Sequence, residues 1–204
     1  MTTTPVPVTL AAADDAALIG RVLADAFYDD PVGHWLDPDD TTRAARLARL
    51  FELWATAFTL PHGEVLRVGE AGAALWLPPG RWQVPPLVLL RHLPRLGRIF
   101  GRRTALLLRG QKSLERHHPR TPHWYLPAIG VATADQGRGV GSALLGAVLE
   151  RCDRDGVPAY LEATCERNRD LYARHGFDLR DDVIHLPDGP PLWPMWREPR
   201  QAGR

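Results

Sequence analysis

Gln136-Gly137-Arg138-Gly139-Val140-Gly141-Ser142 is the stretch that most constrains this chain. An apolar run, Trp124 to Val131, precedes it, and a helical pattern, Ser142 to Asp155, follows it. Glycines let a backbone approach a ligand closely and turn several N–H groups to one side. A helix start adds unpaired donors and the positive end of its dipole. Strand, glycine loop and helix in this order make a pyrophosphate-binding arrangement; a glycine-rich turn without a ligand is the plain alternative. No Lys-Ser or Lys-Thr follows the last glycine, so this is not a P-loop. It also departs from G-x-G-x-x-G, because the third glycine comes one residue early.

Further on come a turn at Gly156 and Pro158, a short strand Ala159 to Thr164, and then Asn168-x-x-x-Tyr172-x-x-x-Gly176-Phe177. Gly176 stands where a helix-ending glycine belongs. Gln-x-x-Gly-x-Gly between strand and helix, followed by a strand, Asn, Leu-Tyr on a short helix and Gly-Phe, resembles the GNAT acetyltransferase superfamily. Trp124-Tyr125-Leu126, Gly156 to Glu162 and Pro187-x-Gly189-Pro190 are similar to the puromycin N-acetyltransferases, as are the chain length and a long middle insert. The likeness is strong from Pro122 to Arg197 and loose before it.

The resemblance implies an α/β fold: a mixed, mostly antiparallel sheet splayed at the central strand Trp124 to Val131, with helices on both faces. Acetyl-CoA is the implied cofactor. Its pyrophosphate would rest on the backbone of Gln136, Gly137, Arg138, Gly139, Val140, Gly141 and Ser142. Its pantetheine arm would lie along Ile129, Gly130 and Val131, where the backbone N–H of Ile129 or a neighbour polarises the acetyl carbonyl. Asn168 either bonds that arm or caps its helix. Tyr172 stands at the family's general-acid position; packing on the sheet is its other role. Pro127 cannot donate to a ladder, so it belongs at an edge or bulge, and a splayed strand tolerates it.

With 204 residues, the chain has the length of one domain with a sizeable core. It reads as a single N-acetyltransferase domain, 1–204, with a helical insert at about 81–120 and a CoA-binding core at about 122–197. A net charge of +1 gives no field that demands nucleic acid or an acidic membrane. Cys152 and Cys165 lack the spacing of a metal site or a disulfide framework, and Cys152 falls on an apolar helix side. Met1 to Pro5 lacks the features of a signal peptide, and no apolar run approaches the ~18 residues of a membrane span. The expected location is the cytoplasm, and the expected state a monomer or homodimer.

Upstream, Val6 to Leu10 suits a first strand, and Asp14-Asp15 opens a helix through Phe27. A second helix starts at Asp37 to Asp40 and runs to about Phe58. Glu64 to Val68 and Ala73 to Leu77 form a hairpin. In the insert, Leu87 to Leu93 and Arg98 to His117 look helical, separated by Pro94 and Gly97. The insert's basic residues, Arg91 to Arg116, suit a solvated helical face. RNA or membrane binding, or a place near the CoA phosphates, are the other readings. Strands are expected near Val183 to Leu186 and Leu192 to Trp196.

Glu162 sits inside an apolar strand, where a lone carboxylate is costly. It binds or deprotonates the acceptor ammonium, or it forms a structural ion pair with an arginine. His123, His34 and Asp30 are further candidates for the base. His34 and Trp35 fall in the loop between the first two helices, which the resemblance places at the acceptor site. Tyr28, Trp193 and Trp196 would form an aromatic wall or pack in the core. The implied activity is acetyl transfer to the primary amine of a small molecule, as in antibiotic detoxification. A protein or peptide acetyltransferase, and a non-catalytic CoA- or nucleic-acid-binding module, are the alternatives. The expected partner is a small amine, with neither nucleic acid nor membrane, and no metal.

Overall fold

The computed structural model describes residues 6–180 and 182–200; Met1 to Pro5 lies outside them. The elements run β1 (Thr9–Leu10), α1 (Ala16–Ala26), α2 (Pro31–Leu36), α3 (Asp40–Leu53), β2 (Glu64–Val68), β3 (Gly72–Leu77), α4 (Pro86–Phe100) and α5 (Thr104–His117). Then follow β4 (Trp124–Val131), α6 (Val140–Asp155), β5 (Ala159–Ala163), α7 (Glu166–Arg174), β6 (Asp178–Leu179), β7 (Ile184–His185) and β8 (Pro191–Arg197). The sheet order is β1-β2-β3-β4-β5-β8-β6, with β7 also on β8. Among the described residues only β4 and β5 pair in parallel; the other pairs are antiparallel.

The sheet opens where the sequence implied. β4 pairs with β5 at Trp124, Tyr125 and Leu126 and then leaves it. Its other edge stays on β3 to Val131. Leu75 stands opposite Ala128 and Leu77 opposite Tyr125, so Leu126 and Pro127 together face Trp76. That is a bulge, and Pro127 sits in it, where no ladder donor is required. The bulge also switches faces: Leu126 belongs to the apolar cluster under α6, and Ala128 to the cluster under α1.

Each face of the sheet buries its own core. Ile19, Leu23, Leu47, Phe51, Leu96 and Ile99 bring α1, α3 and α4 onto one face. Leu144, Leu145, Val148, Cys152 and Phe177 bring α6 and its surroundings onto the other. Cys152 is fully buried, and burial pushes its thiol up to about 11.

Three local expectations need correction. The segment holding His34 and Trp35 is helix α2, not a loop. Asp30 caps it by accepting from Val32 N at 2.8 Å, and Pro31 fills the first helical position. The second long helix also ends its α-helical part at Leu53 and continues as a π-helical turn, Trp54–Thr59. In the insert, α4 runs through Pro94 and Gly97 without a break. The proline frees only the carbonyl of Leu90, a residue 64 % exposed, where water can serve it. The break comes at Gly101, whose φ of 54° and ψ of −128° suit glycine alone. Among the described residues, no helix is long and apolar enough to cross a membrane.

Candidate active site

Gly137 and Gly139 both have positive φ, 78° and 81°, and a Cβ added to either would meet nothing within 4 Å. Gly139 is the N-cap of α6 and offers no side-chain cap. The first backbone donors of the helix therefore face an open cradle. Gln136 ties the loop down: its amide nitrogen donates to Val131 O at 3.4 Å, and its oxygen accepts from Arg167 at 3.0 Å. Arg138 pairs with Asp135, and the Ser142 hydroxyl bonds His175 Nε2 at 3.0 Å. Gly141 points the other way. A Cβ there would touch Val131 and Leu171 at 3.6 and 3.8 Å, so this glycine faces the core rather than the cradle. An open set of donors beside a split sheet fits a phosphate-bearing cofactor such as acetyl-CoA.

Past Leu126, the β5 side of β4 has no strand partner. Ile129 lines the gap. Gly130 instead admits α1, since a Cβ there would lie 2.6 Å from Ala26 Cβ. Across the gap, Asn168 and Tyr172 stand on α7. Asn168 is not a cap, because Cys165 holds that position. Its amide donates to Thr164 Oγ1 at 3.2 Å, and the Thr164 hydroxyl donates to Asp30 Oδ2. This chain links α7 to the start of α2. Burial raises the Asp30 carboxyl, its bonds to Thr164 and Val32 opposing the shift. Burial also holds the Tyr172 phenol well above its ordinary value, so it is protonated throughout the working range.

A cavity of about 180 Å³ leads from this gap to the undersides of α4 and α5. Phe27, Trp35, Phe51, Trp54, Leu107 and Leu114 give it apolar walls; Glu162, Asn168 and Tyr172 lie on its sheet side. The insert is thus its roof. Three insert arginines fasten that roof: Arg95 to Glu52, Arg103 to the carbonyls of Trp35 and Leu36, and Arg109 to Asp188.

Glu162 forms no ion pair with an arginine among the described residues. Its Oε2 accepts from the Tyr125 hydroxyl at 2.9 Å; among the described residues its buried Oε1 has no partner at full hydrogen-bond geometry, with the Tyr160 hydroxyl the nearby donor. Burial pushes the carboxyl up to about 7, against the bonds from the Tyr125 and Tyr160 hydroxyls. His118 Nδ1 stands 3.9 Å from Oε1. His123 reaches His118 rather than the cavity, with the two Nε2 atoms 3.0 Å apart.

Of the other expected acceptor residues, Trp35 alone lines the cavity. His34 is exposed on α2. Trp35 is buried in the cavity wall, its indole donating to Pro187 O at 2.9 Å. Tyr28 lies under Arg43, 5.0 Å from its guanidinium. Trp193 and Trp196 are three positions apart on β8, so they take opposite faces. Trp193 packs on the α7 side with Arg169, while Trp196 meets Tyr160 and His123. Two residues of the site had no sequence-based assignment. Tyr125 was one position in an apolar strand, and His118 one of two adjacent histidines after a basic helix. Among the described residues, no group of three His, Cys, Asp or Glu is arranged to hold a metal.

Comparison with known proteins adds the following. Residues 82–177 match the acetyltransferase (GNAT) family. The chain is 31 % identical over 206 residues to an uncharacterized N-acetyltransferase of Schizosaccharomyces pombe, covering 94 % of this chain and 83 % of that one. A Corynebacterium glutamicum structure described as histone acetyltransferase HPA2 and related acetyltransferase is 33 % identical, with a TM-score of 0.72 and 97 % and 98 % of the two chains covered. A GCN5-related N-acetyltransferase from Rhodopseudomonas palustris shares the fold at 11 % identity, with a TM-score of 0.56 over 97 % and 98 % of the chains.

Proposed function

This chain belongs to the GNAT family of acetyltransferases, and we propose that its acceptor is the primary amine of a small molecule with an apolar body. The observation that carries the reading is the roofed cavity, apolar along its walls and ending at the buried carboxyl of Glu162. An apolar body gains from those walls. One buried carboxyl suits one ammonium group, whereas a polyamine or a basic peptide would bury further charges without partners.

Mechanism follows from position. Acetyl-CoA, when bound, supplies an activated acetyl group as a thioester. The backbone from Gly137 to Ser142 would hold its pyrophosphate, and Asn168 and the free edge of β4 at Ile129 would align its arm. A backbone N–H on that edge polarises a carbonyl without a charged side chain. Glu162 has a carboxyl whose proton affinity lies near neutrality, the condition for a general base at physiological pH. It receives the proton that the acceptor ammonium must lose. Tyr172 holds a proton on its hydroxyl at the gap and delivers it to the leaving group.

The likeness of residues 122–197 to the puromycin N-acetyltransferases supports an amine-bearing antibiotic as one such acceptor. The test is a panel assayed for free CoA release: puromycin, arylalkylamines, alkylamines, polyamines, and lysine and N-terminal peptides. Peptides belong in it because a structure 33 % identical carries the histone acetyltransferase name. Apolar monoamines are expected to give the highest kcat/KM. Preference for peptides or polyamines would overturn the small-acceptor reading.

A further inference from the structure

Behind Glu162 lies a pair of buried histidines with no part in the chemistry above. His118 follows α5 and His123 precedes β4; they are 7 % and 2 % exposed. His123 Nδ1 lies 2.6 Å from the carbonyl oxygen of Thr121. A carbonyl only accepts, so Nδ1 must carry a proton, and the neutral ring keeps its lone pair on Nε2. That Nε2 is 3.0 Å from His118 Nε2, which therefore carries the proton between them. His118 is left with a bare Nδ1, and that atom faces Glu162 Oε1 at 3.9 Å. The opposite assignment would set two lone pairs against each other at the Thr121 carbonyl.

The rings are fixed in place. Trp82 stacks on His118 at 3.8 Å and 20°, with Tyr125 and Tyr160 edge-on at 4.7 and 4.9 Å. Trp196 lies edge-on to His123 at 5.4 Å. Burial works against a charge on either ring. Burial lowers His118 to about 3, with His123 adding to it. Burial also lowers His123, the Thr121 carbonyl opposing and Arg180 adding to the drop. The titratable groups facing Glu162 are Tyr125 on β4, Tyr160 on β5 and His118 after α5. Glu115 of α5 lines the same cavity farther along.

We propose that His123, acting through His118, is a positioning residue that keeps a hydrogen-bond acceptor against the inner oxygen of Glu162. The two oxygens of Glu162 then differ. Oε2 meets a donor, the Tyr125 hydroxyl; Oε1 has the bare His118 nitrogen 3.9 Å away, while the Tyr160 hydroxyl of β5 also acts on the carboxyl. A neutral Glu162 carries its proton on Oε1, where the bare His118 nitrogen accepts it. The separation exceeds a hydrogen bond by about 1 Å, and the terminal torsion of a glutamate is soft enough to close it. The acid form is favoured over the carboxylate, so the group stays near neutrality in its proton affinity. The catalytic consequence rests on the reading of Glu162 as the residue that meets the acceptor amine; the tautomer assignment does not.

Imidazole ¹⁵N–¹H correlation spectra of the wild-type protein test the assignment directly. His123 is expected as the Nδ1–H tautomer and His118 as the Nε2–H tautomer, both neutral at pH 6. An Nδ1–H on His118, or a cationic ring at that pH, would overturn the proposal. His123→Phe keeps an aromatic ring beside Trp196 and Tyr160 but frees His118 to donate from Nδ1 to Glu162. The Glu162 carboxyl, followed by its ¹³C shift, should then titrate roughly one unit or more lower, and the acid limb of kcat/KM should move with it. A ¹³C titration unchanged in a folded His123→Phe variant sinks the proposal. A wild-type protein that acetylates no amine would instead sink the acceptor reading, with both spectra still decisive for the histidines.

Discussion

Tyr125 and Glu162 are joined hydroxyl to carboxylate at 2.9 Å, just where β4 and β5 part company. Leu126 and Leu161 form the last rung of the ladder, and the next residue of β5 is Glu162. The bond therefore stands at the apex of the opening, and the Tyr160 hydroxyl acts on the same carboxyl from β5.

Tyr125→Phe removes the donor that favours the charged form of Glu162. The Glu162 carboxyl should rise further, and the acid limb of kcat/KM should move about one unit toward higher pH. A profile measured from pH 5 to pH 9 decides it; a shift toward lower pH would contradict the geometry.

Glu162→Gln should stabilise the fold while removing the base. The folded carboxyl is raised to about 7, so its stabilising contribution is complete below its ordinary value and is lost as pH rises through 7. At pH 8 the wild type carries a buried charge that the variant lacks. The variant should be more stable there by up to about 3 kcal/mol, with the gap closing toward pH 5. Thermal melts of both proteins across that range, beside an activity assay, show whether the two properties oppose one another.

Tyr172→Phe keeps the ring and its packing against Phe177, with centroids 6.1 Å apart. General acid catalysis contributes ~10²–10⁴-fold, and that is the expected fall in kcat, with little change in KM for acetyl-CoA. Single-turnover rates isolate the chemical step. A normal rate there would leave the tyrosine as packing alone.

The glycines of the loop should separate by role. Gly139→Ala forces a side chain into φ 81° at the cradle and costs about 1–2 kcal/mol locally. Its KM for acetyl-CoA should rise at least ~10-fold, a loss of ~1.4 kcal/mol in binding. Gly141→Ala meets Val131 and Leu171 at ordinary contact distance and should bind the cofactor nearly as the wild type does. Calorimetric titration with acetyl-CoA compares the two.

The glycine loop and the placement of Asn168 and Tyr172 on one short helix were legible because each is a local pattern, and the splayed strand came with the family resemblance those patterns carry. Pro127 marked the bulge by its missing N–H. The carboxyl's surroundings were not legible. Tyr125 and Glu162 are 37 positions apart, and only the strand register brings them together. His118 gains its place from how the insert returns to β4, which no periodicity encodes. Trp193 and Trp196 failed as a shared wall through simple alternation, a rule that needs the strand's extent before it can be applied. α2 was announced by Asp30-Pro31, but at six residues it falls below what periodic patterns resolve.

The last strand, β8, pairs with β5 on one side and with β6 and β7 on the other. Arg197, 2 % exposed, closes it with a two-pronged bond to Asp153 of α6 at 2.7 Å. During synthesis, then, the outer edge of β5 waits for β8. A nascent chain that has not yet released Pro191 to Arg197 exposes the apolar edge of β5 with no strand to cover it. The first half, from β1 to β4, is free to pair as it emerges. The protein's vulnerable interval lies late in translation, and a stop codon shortly before position 191 would leave a chain with a finished half-sheet and an open, adhesive border.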